Sequence, residues 1–288
     1  MDVVFVVLHY KTFQDTVDCI ESIEKKIDTD SYHIIVVDNA SGNGSGEKLQ
    51  DNYREAENIT VLINESNLGF AKGLNKGIVY AREKWNIRYI VAINNDTLLV
   101  SRDFVKTLDE KYEQYGFSVV GPMMVTGDGN CNVNPIRNTI RSVSEVEESI
   151  RKYRRIIKLC NLHLYKIYKV LKRFKRKRTS KAPLVCIQDQ VNYKLHGACW
   201  IFSKLYFEIF DGLDESTFLY GEEDILYLHV ISNSLKTLYT PDIVIYHKED
   251  SSTDETLPDN MQKVRFVSEN CINSLNCYLE LLKKYNVK

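Results

Sequence analysis

The 288-residue sequence has no two cysteines spaced as CxxC, no apolar run near the ~18 residues of a membrane span, and no glycine-rich turn after its first strand-like run. Each absence excludes a class. The seven cysteines (Cys19, Cys131, Cys160, Cys186, Cys199, Cys271 and Cys277) are scattered and odd in number. That argues against structural zinc, which draws its ligands in close pairs, and points to small reduced core residues in a reducing compartment. Val3 to Leu8 follows Met1 and Asp2 with no basic n-region, is too short for a signal h-region and has no small-residue cleavage site, so no secretion signal is expected. The run leads into HYKTFQD rather than GxGxxG, so NAD and FAD are not expected ligands.

What is present is an ordinary globular composition with a lopsided charge. The formal net charge is −1, yet residues 151 to 181 hold 14 of the 38 Lys and Arg and no acid, leaving 24 basic against 39 acidic residues elsewhere. An acidic body with one concentrated basic segment implies a local anionic partner and argues against a nucleic-acid binder, for which no motif is present.

Short β-branched runs alternate with helix-like segments: strands over 2–8, 33–38, 59–63 and 88–94, helices over 13–26, 46–55 and 71–85. The runs VVFVVL, HIIVVD and RYIVAIN are apolar on both faces, as strands of a sheet covered by helices on each side must be. An α/β doubly wound sheet is expected, with ligands at the carboxyl ends of its strands. Those ends are polar: His9 and Tyr10, Asp38 and Asn39, Asn64 to Asn67, and Asn94, Asn95 and Asp96. Residues 126 to 147 read as a polar insertion loop, and from Tyr153 a 3.6-residue apolar stripe with Lys and Arg on its other face predicts a basic amphipathic helix with a break near Asn161. Strands over 195–203 and 237–247, a helix within 218–233 and a tail helix over 259–286 complete the reading.

Asn94-Asn95-Asp96-Thr97 ends a buried strand. It can be a turn, or it can hold a carboxylate at the rim for a hard divalent cation. Glu222-Glu223-Asp224 opens a helix, where acids are stabilised by the dipole, but three exceed what capping needs and one can act as general base. His247 ends the last strand and can ligate a metal or contact phosphate; Ser251, Ser252 and Thr253 follow it.

Taken in order, VVLHY, VVDNASGNGS, NLGFAKGLN, INNDT, GACWIF, FLYGEEDIL and the strand ending at His247 resemble family 2 glycosyltransferases, in particular bacterial rhamnosyltransferase-like members of the GT-A fold. The resemblance spans nearly the whole chain. It implies a mixed sheet with helices on both faces and three parts: a nucleotide-sugar-binding half over 1–125, an insertion over 126–183 carrying the basic helix, and an acceptor-binding half over 184–288. It further implies that Tyr10, Asp38, Asn39, Asn67, Gly73, Asn75 and Asn95 line the donor site, that Gly197, Trp200 and Glu222 lie on the acceptor side, and that Asp96 and His247 hold Mn2+ or Mg2+. Asn94 stands where the family's first acid would be. The base best matches Asp224, with Glu223 the alternative because Glu222 permits a one-residue shift.

The expected activity is inverting transfer of a sugar from a UDP- or dTDP-linked donor to a glycan acceptor, lipid-linked by analogy, in bacterial surface polysaccharide synthesis. The expected location is cytoplasmic, peripheral on the inner face of the membrane through 151–181. Two rivals are a sugar-phosphate nucleotidylyltransferase, which needs a glycine-rich, Arg-bearing loop after the first strand that HYKTFQD does not supply, and a non-catalytic homologue that binds nucleotide sugar or a partner.

Overall fold

The computed structural model describes residues 1–165, 168, 186–248 and 260–287. The first half runs β1 (Val3–His9), α1 (Phe13–Lys26), β2 (Tyr32–Asp38), α2 (Ser45–Asn52), β3 (Ile59–Ile63), α3 (Phe70–Lys84) and β4 (Tyr89–Asn94). Then follow β5 (Thr97–Leu99), α4 (Phe104–Tyr115), β6 (Val119–Thr126), α5 (Val143–Asn161), β7 (Gln190–Val191), β8 (Cys199–Ser203), the single turn α6 (Lys204–Phe207), α7 (Glu222–Ser232), β9 (Thr237–His247) and α8 (Asn260–Lys284).

Alternate residues of the central strands feed opposite cores, as period-2 side-chain geometry requires. Val3, Phe5, Val7, Ile34 and Val36 face Cys19, Ile20 and Ile23 of α1 and Phe104 and Leu108 of α4. Val4, Val6, Ile35 and Val37 face Ala71, Leu74, Ile78 and Ala81 of α3. These side chains are almost fully buried, and each Val, Leu, Ile or Phe among them is worth ~1.5–3 kcal/mol. Helix α3 lies tight on the sheet because Gly73 lets it: a Cβ there would stand 2.7 Å from Leu8 Cδ1.

One sheet carries the strands in the order β3-β2-β1-β4-β8-β6-β9-β5, with β7 beside β9. The pairings β3-β2, β2-β1 and β1-β4 are parallel, as are β6 and β9, whereas β8 runs antiparallel between β4 and β6. The sheet is therefore mixed, and β8 enters it at the edge where β1, β2, β4, β6 and β9 end.

The polar stretch after β6 is shorter than its composition predicts. Helix α5 begins at Val143, ten residues before the expected stripe, because Ser142 and Glu145 form a reciprocal capping box: the Glu145 amide donates to Ser142 Oγ at 3.3 Å and the Ser142 amide to Glu145 Oε2 at 2.8 Å. The apolar face of α5 is covered where it starts, Val146 and Ile150 packing with Ile225 and Leu228 of α7 and Leu275, Tyr278 and Leu282 of α8. The helix stops at Asn161, near the expected break, with His163 at φ 57°. Residues 166, 167 and 169–181 of the basic segment, and Ser251, Ser252 and Thr253, lie outside the described residues. All seven cysteines are free thiols, and no described helix is long and apolar enough to cross a membrane.

Candidate active site

The parallel register sets His9 beside Asp38 and Leu8 beside Asn94, so the polar ends of β2, β1 and β4 are contiguous along one rim. His9 is fully buried and bonded through both ring nitrogens, Nδ1 to Thr16 Oγ1 at 2.6 Å and Nε2 to Ser45 Oγ at 2.8 Å. The Ser45 hydroxyl donates to Asn43 Oδ1 at 2.6 Å, so its oxygen must accept from His9. That fixes the tautomer with the proton on Nε2, and Thr16 donates to Nδ1. The Asn95 amide donates to Thr16 Oγ1 at 2.9 Å, and the Asn43 amide to the Lys11 carbonyl at 3.0 Å. A directional hydrogen-bond chain thus links the INNDT segment to the loop after β1. Burial pushes His9 down to about 4, which keeps it neutral.

Asp38 is also buried, and desolvation raises its carboxyl above the ordinary value against the Ser41 hydroxyl and amide that donate to it. Gly46 accommodates it; a Cβ there would meet Asp38 Oδ2 at 2.5 Å. Ser41 Oγ also accepts the Lys11 amide at 2.8 Å, holding Lys11 at φ 66° with its ammonium 5.2 Å from the half-buried Tyr10 ring. The other expected donor-site amides are committed within the protein. Asn39 donates to Asn67 Oδ1 and the Gly69 carbonyl and accepts from Asn64 and Leu68. Asn75 brackets Leu213, donating to its carbonyl at 2.9 Å and accepting its amide at 2.8 Å, and donates to Glu215. Asn95 also donates to Thr12 Oγ1 at 2.8 Å. These groups shape the rim loops by holding them.

Asp96 and His247 meet because Thr97 pairs with His247 across β5 and β9. Asp96 Oδ1 stands 3.2 Å from His247 Nε2, both residues are buried, and His247 Nδ1 has no hydrogen-bond partner among the described residues. Among the described residues no three His, Cys, Asp or Glu gather into a metal cage. Two such protein ligands fit a magnesium- or manganese-type ion that takes most of its shell from phosphate and water.

Beside this pair, the rings of His196 and His247 meet edge to face at 5.9 Å. His196 opens onto a cavity of about 430 Å³ shared with Asn94, Gly197, Trp200 and the Glu222-Glu223-Asp224 turn of α7, and walled by α5 and α8. The three acids differ in their surroundings. Glu222 is buried, accepts the Thr217 hydroxyl at 3.0 Å, and is pushed up to about 7 by burial and then by the neighbouring Glu223 charge. Asp224 is saturated: Lys194 Nζ donates to Oδ1 at 2.6 Å and Arg141 Nη1 to Oδ2 at 3.1 Å. Glu223 has no hydrogen-bond or ion-pair partner among the described residues. Its Oε1 lies 3.1 Å from where a Gly197 Cβ would sit, and the same point is 3.5 Å from Trp200 Cζ2. Trp200 is fully buried, and its indole N–H has no partner among the described residues.

The model of glycosyl transferase family 2 matches residues 4–180, more than half of the sequence. The chain belongs to glycosyltransferase family 2. No curated protein matches it significantly. Among solved structures, residues 1–349 of S. aureus TarS align with a TM-score of 0.55 at 12% identity, covering 96% of this chain and 71% of that one. The same TarS fragment in complex with UDP gives 0.54 at 13% identity, over 93% and 65%. GalNAc-T7 with UDP, GalNAc and Mn2+ gives 0.59 at 12% identity, covering 99% of this chain and 50% of that one. The chain thus spans about half the length of the GalNAc-T7 chain. At such identities the likeness shows the GT-A fold of this family 2 chain and leaves its chemistry to the site itself.

Residues that the sequence did not single out complete the site. Arg141 lies in the stretch read as loop, Lys194 just ahead of the predicted strand, and Asn134 deep in the polar insertion. Asn134 is 1% exposed, donates to the Pro122 carbonyl at 2.7 Å and accepts the His196 amide at 3.1 Å. It pins the loop that carries His196 and Gly197. A polar side chain buried by its own insertion leaves no periodic signal.

Proposed function

We propose that this family 2 chain is an inverting glycosyltransferase in which Glu223 is the general base. The observation that carries the assignment is the contrast inside one turn of helix: Glu223 presents an unpaired carboxylate beside Gly197, while both oxygens of Asp224 are held by cations. With each oxygen of Asp224 bonded to a cationic donor, Glu223 is the acid of this turn left to take a proton from an acceptor hydroxyl.

In this reading a nucleotide diphosphate sugar, UDP- or dTDP-linked, lies along the rim, its base between Tyr10 and Asp38. Asp96 and His247 would hold a divalent cation, Mn2+ or Mg2+, which when bound would neutralise charge on the departing diphosphate. A hydroxyl of the acceptor, seated in the cavity, attacks the anomeric carbon as the bond to the diphosphate oxygen breaks, and its proton passes to Glu223. Attack from the side opposite the leaving group inverts the anomeric centre. Support for a glycan acceptor, lipid-linked, in bacterial surface polysaccharide synthesis comes from the resemblance of the ordered motifs. Placement at the inner membrane face draws on the end of α5, where Leu162 and Leu164 are 55% and 44% exposed beside Arg154, Arg155 and Lys158.

Glu223→Gln is expected to lower turnover of a nucleotide sugar by about 10²–10⁴-fold, the range of a lost general base, with UDP affinity unchanged by calorimetry. Asp224→Asn is expected to act more weakly and to lower the melting temperature, because it strands two buried cations. An active Glu223→Gln protein alongside a well-folded, inactive Asp224→Asn protein would reassign the base to Asp224.

A further inference from the structure

Arg141 and Lys194 share a single carboxylate. In the cluster they form with Asp224, the side chains are only 18%, 10% and 12% exposed. Two cations on one anion leave a surplus positive charge in a poorly hydrated place, and such charge is costly unless something counters it. The other bonds of Arg141 go to neutral groups, Nη2 donating to the Glu145 carbonyl at 3.3 Å and to Ser149 Oγ at 2.6 Å. Three of the five guanidinium N–H groups are then used, and two remain.

Arg141 and Ser149 lie on the cavity wall with Lys152. Ser149 and Lys152 are three residues apart on α5 and so share a face. The Lys152 ammonium has no ion-pair partner among the described residues and stands 5.6 Å from the Tyr153 ring. The cavity's other carboxylates sit on the first turn of α7, where Glu222 accepts from Thr217 and Glu223 lies against Gly197. The cavity thus carries carboxylates on the first turn of α7 and, on α5 and just ahead of it, two cations and a hydroxyl.

We propose that this α5 wall is an oxyanion subsite, in which Arg141, Ser149 and Lys152 hold a phosphate or carboxylate group of the acceptor. The acceptor is then an anionic glycan, with the group near the hydroxyl that Glu223 deprotonates. Guanidinium, hydroxyl and ammonium together suit either oxyanion, giving in-plane N–H pairs and one strong point charge. The inference rests on the cavity being the acceptor site of a nucleotide-sugar enzyme.

The test titrates the full chain with inorganic phosphate, glucuronic acid and glucose, at low ionic strength and with saturating UDP present to fill the donor site. Trp200 serves as fluorescence reporter in a Trp85→Phe background, which leaves it the sole tryptophan. At least one of the two anions should give a saturable signal and glucose none. The ranking of phosphate against glucuronic acid identifies the group recognised. In Ser149→Ala/Lys152→Ala, and separately in Lys152→Glu, affinity for that anion should fall at least tenfold while UDP affinity stays unchanged. Saturation by neither anion, or by an anion whose affinity both variants retain, overturns the subsite. Absence of UDP binding and of nucleotide-sugar turnover in the parent protein would instead overturn the enzymatic reading.

Discussion

Buried at the end of β1, His9 finds partners for both ring nitrogens in Thr16 and Ser45 while remaining neutral. Neutrality has a pH signature. The unfolded chain protonates such a histidine near 6.5, whereas burial lowers His9 and His33 to about 4 in the folded state. Between those values the unfolded state binds more protons, so this contribution to stability is fully present above about 6.5 and is lost as pH falls toward 4. Glu222 works in the opposite sense: raised to about 7, it favours the folded state at acid pH and opposes it once ionised. Melting temperatures between pH 4.5 and 8 should therefore fall less steeply on the acid side in His9→Asn than in the parent, and equal slopes would remove His9 from the account. Asp96, His247 and the Glu222-Glu223-Asp224 turn were legible in the sequence because each ends a buried strand or opens a helix, where side chains meet a rim by geometry alone. The different surroundings of Glu223 and Asp224 were not legible, since they depend on Arg141 and Lys194 arriving from elsewhere in the chain.

Among the elements, the strands that the sequence marks by continuous β-branched runs stand where expected, and α1 spans the expected 13–26. The stretch 97–125 went unread for local reasons. Strand β5 has three residues, and β6 carries Gly121-Pro122, where its pairing with β9 shifts register; both features erase the period on which such reading depends. Helix α5 was placed late because its first turn, VSEV, is polar by composition and helical by virtue of its cap. Ser142→Ala should cost about 1 kcal/mol. Because α5 walls the cavity and not the rim near Asp38, that loss should weaken acceptor binding while UDP affinity, measured by calorimetry, stays constant; equal damage to both would mean that α5 supports the whole fold.

For the whole molecule, the sheet joins the two expected functional halves, since β8 lies between β4 and β6 and so threads the second half into the first. Asp38, the Asp96–His247 pair and the cavity beside Glu223 then follow the ends of neighbouring strands. Ligands that bind only the folded state stabilise it by mass action, about 2.7 kcal/mol at 100 times the dissociation constant. UDP should accordingly raise the melting temperature by several degrees, and Mn2+ should add to that shift only when UDP is present, because two protein ligands hold an ion weakly without phosphate. His247→Ala should lose the metal increment and keep the UDP increment. A manganese shift without nucleotide would contradict a site completed by the diphosphate.

The antiparallel course of β8 has an evolutionary consequence. Strand β6 leaves the sheet at the rim where β8 begins, and β7 pairs with the start of β9 in between, so the stretch from β6 to β7 is tethered to the sheet at both ends. Lengthening a tethered excursion adds closure entropy only logarithmically. The length of that stretch can therefore vary at little cost to the strands it joins.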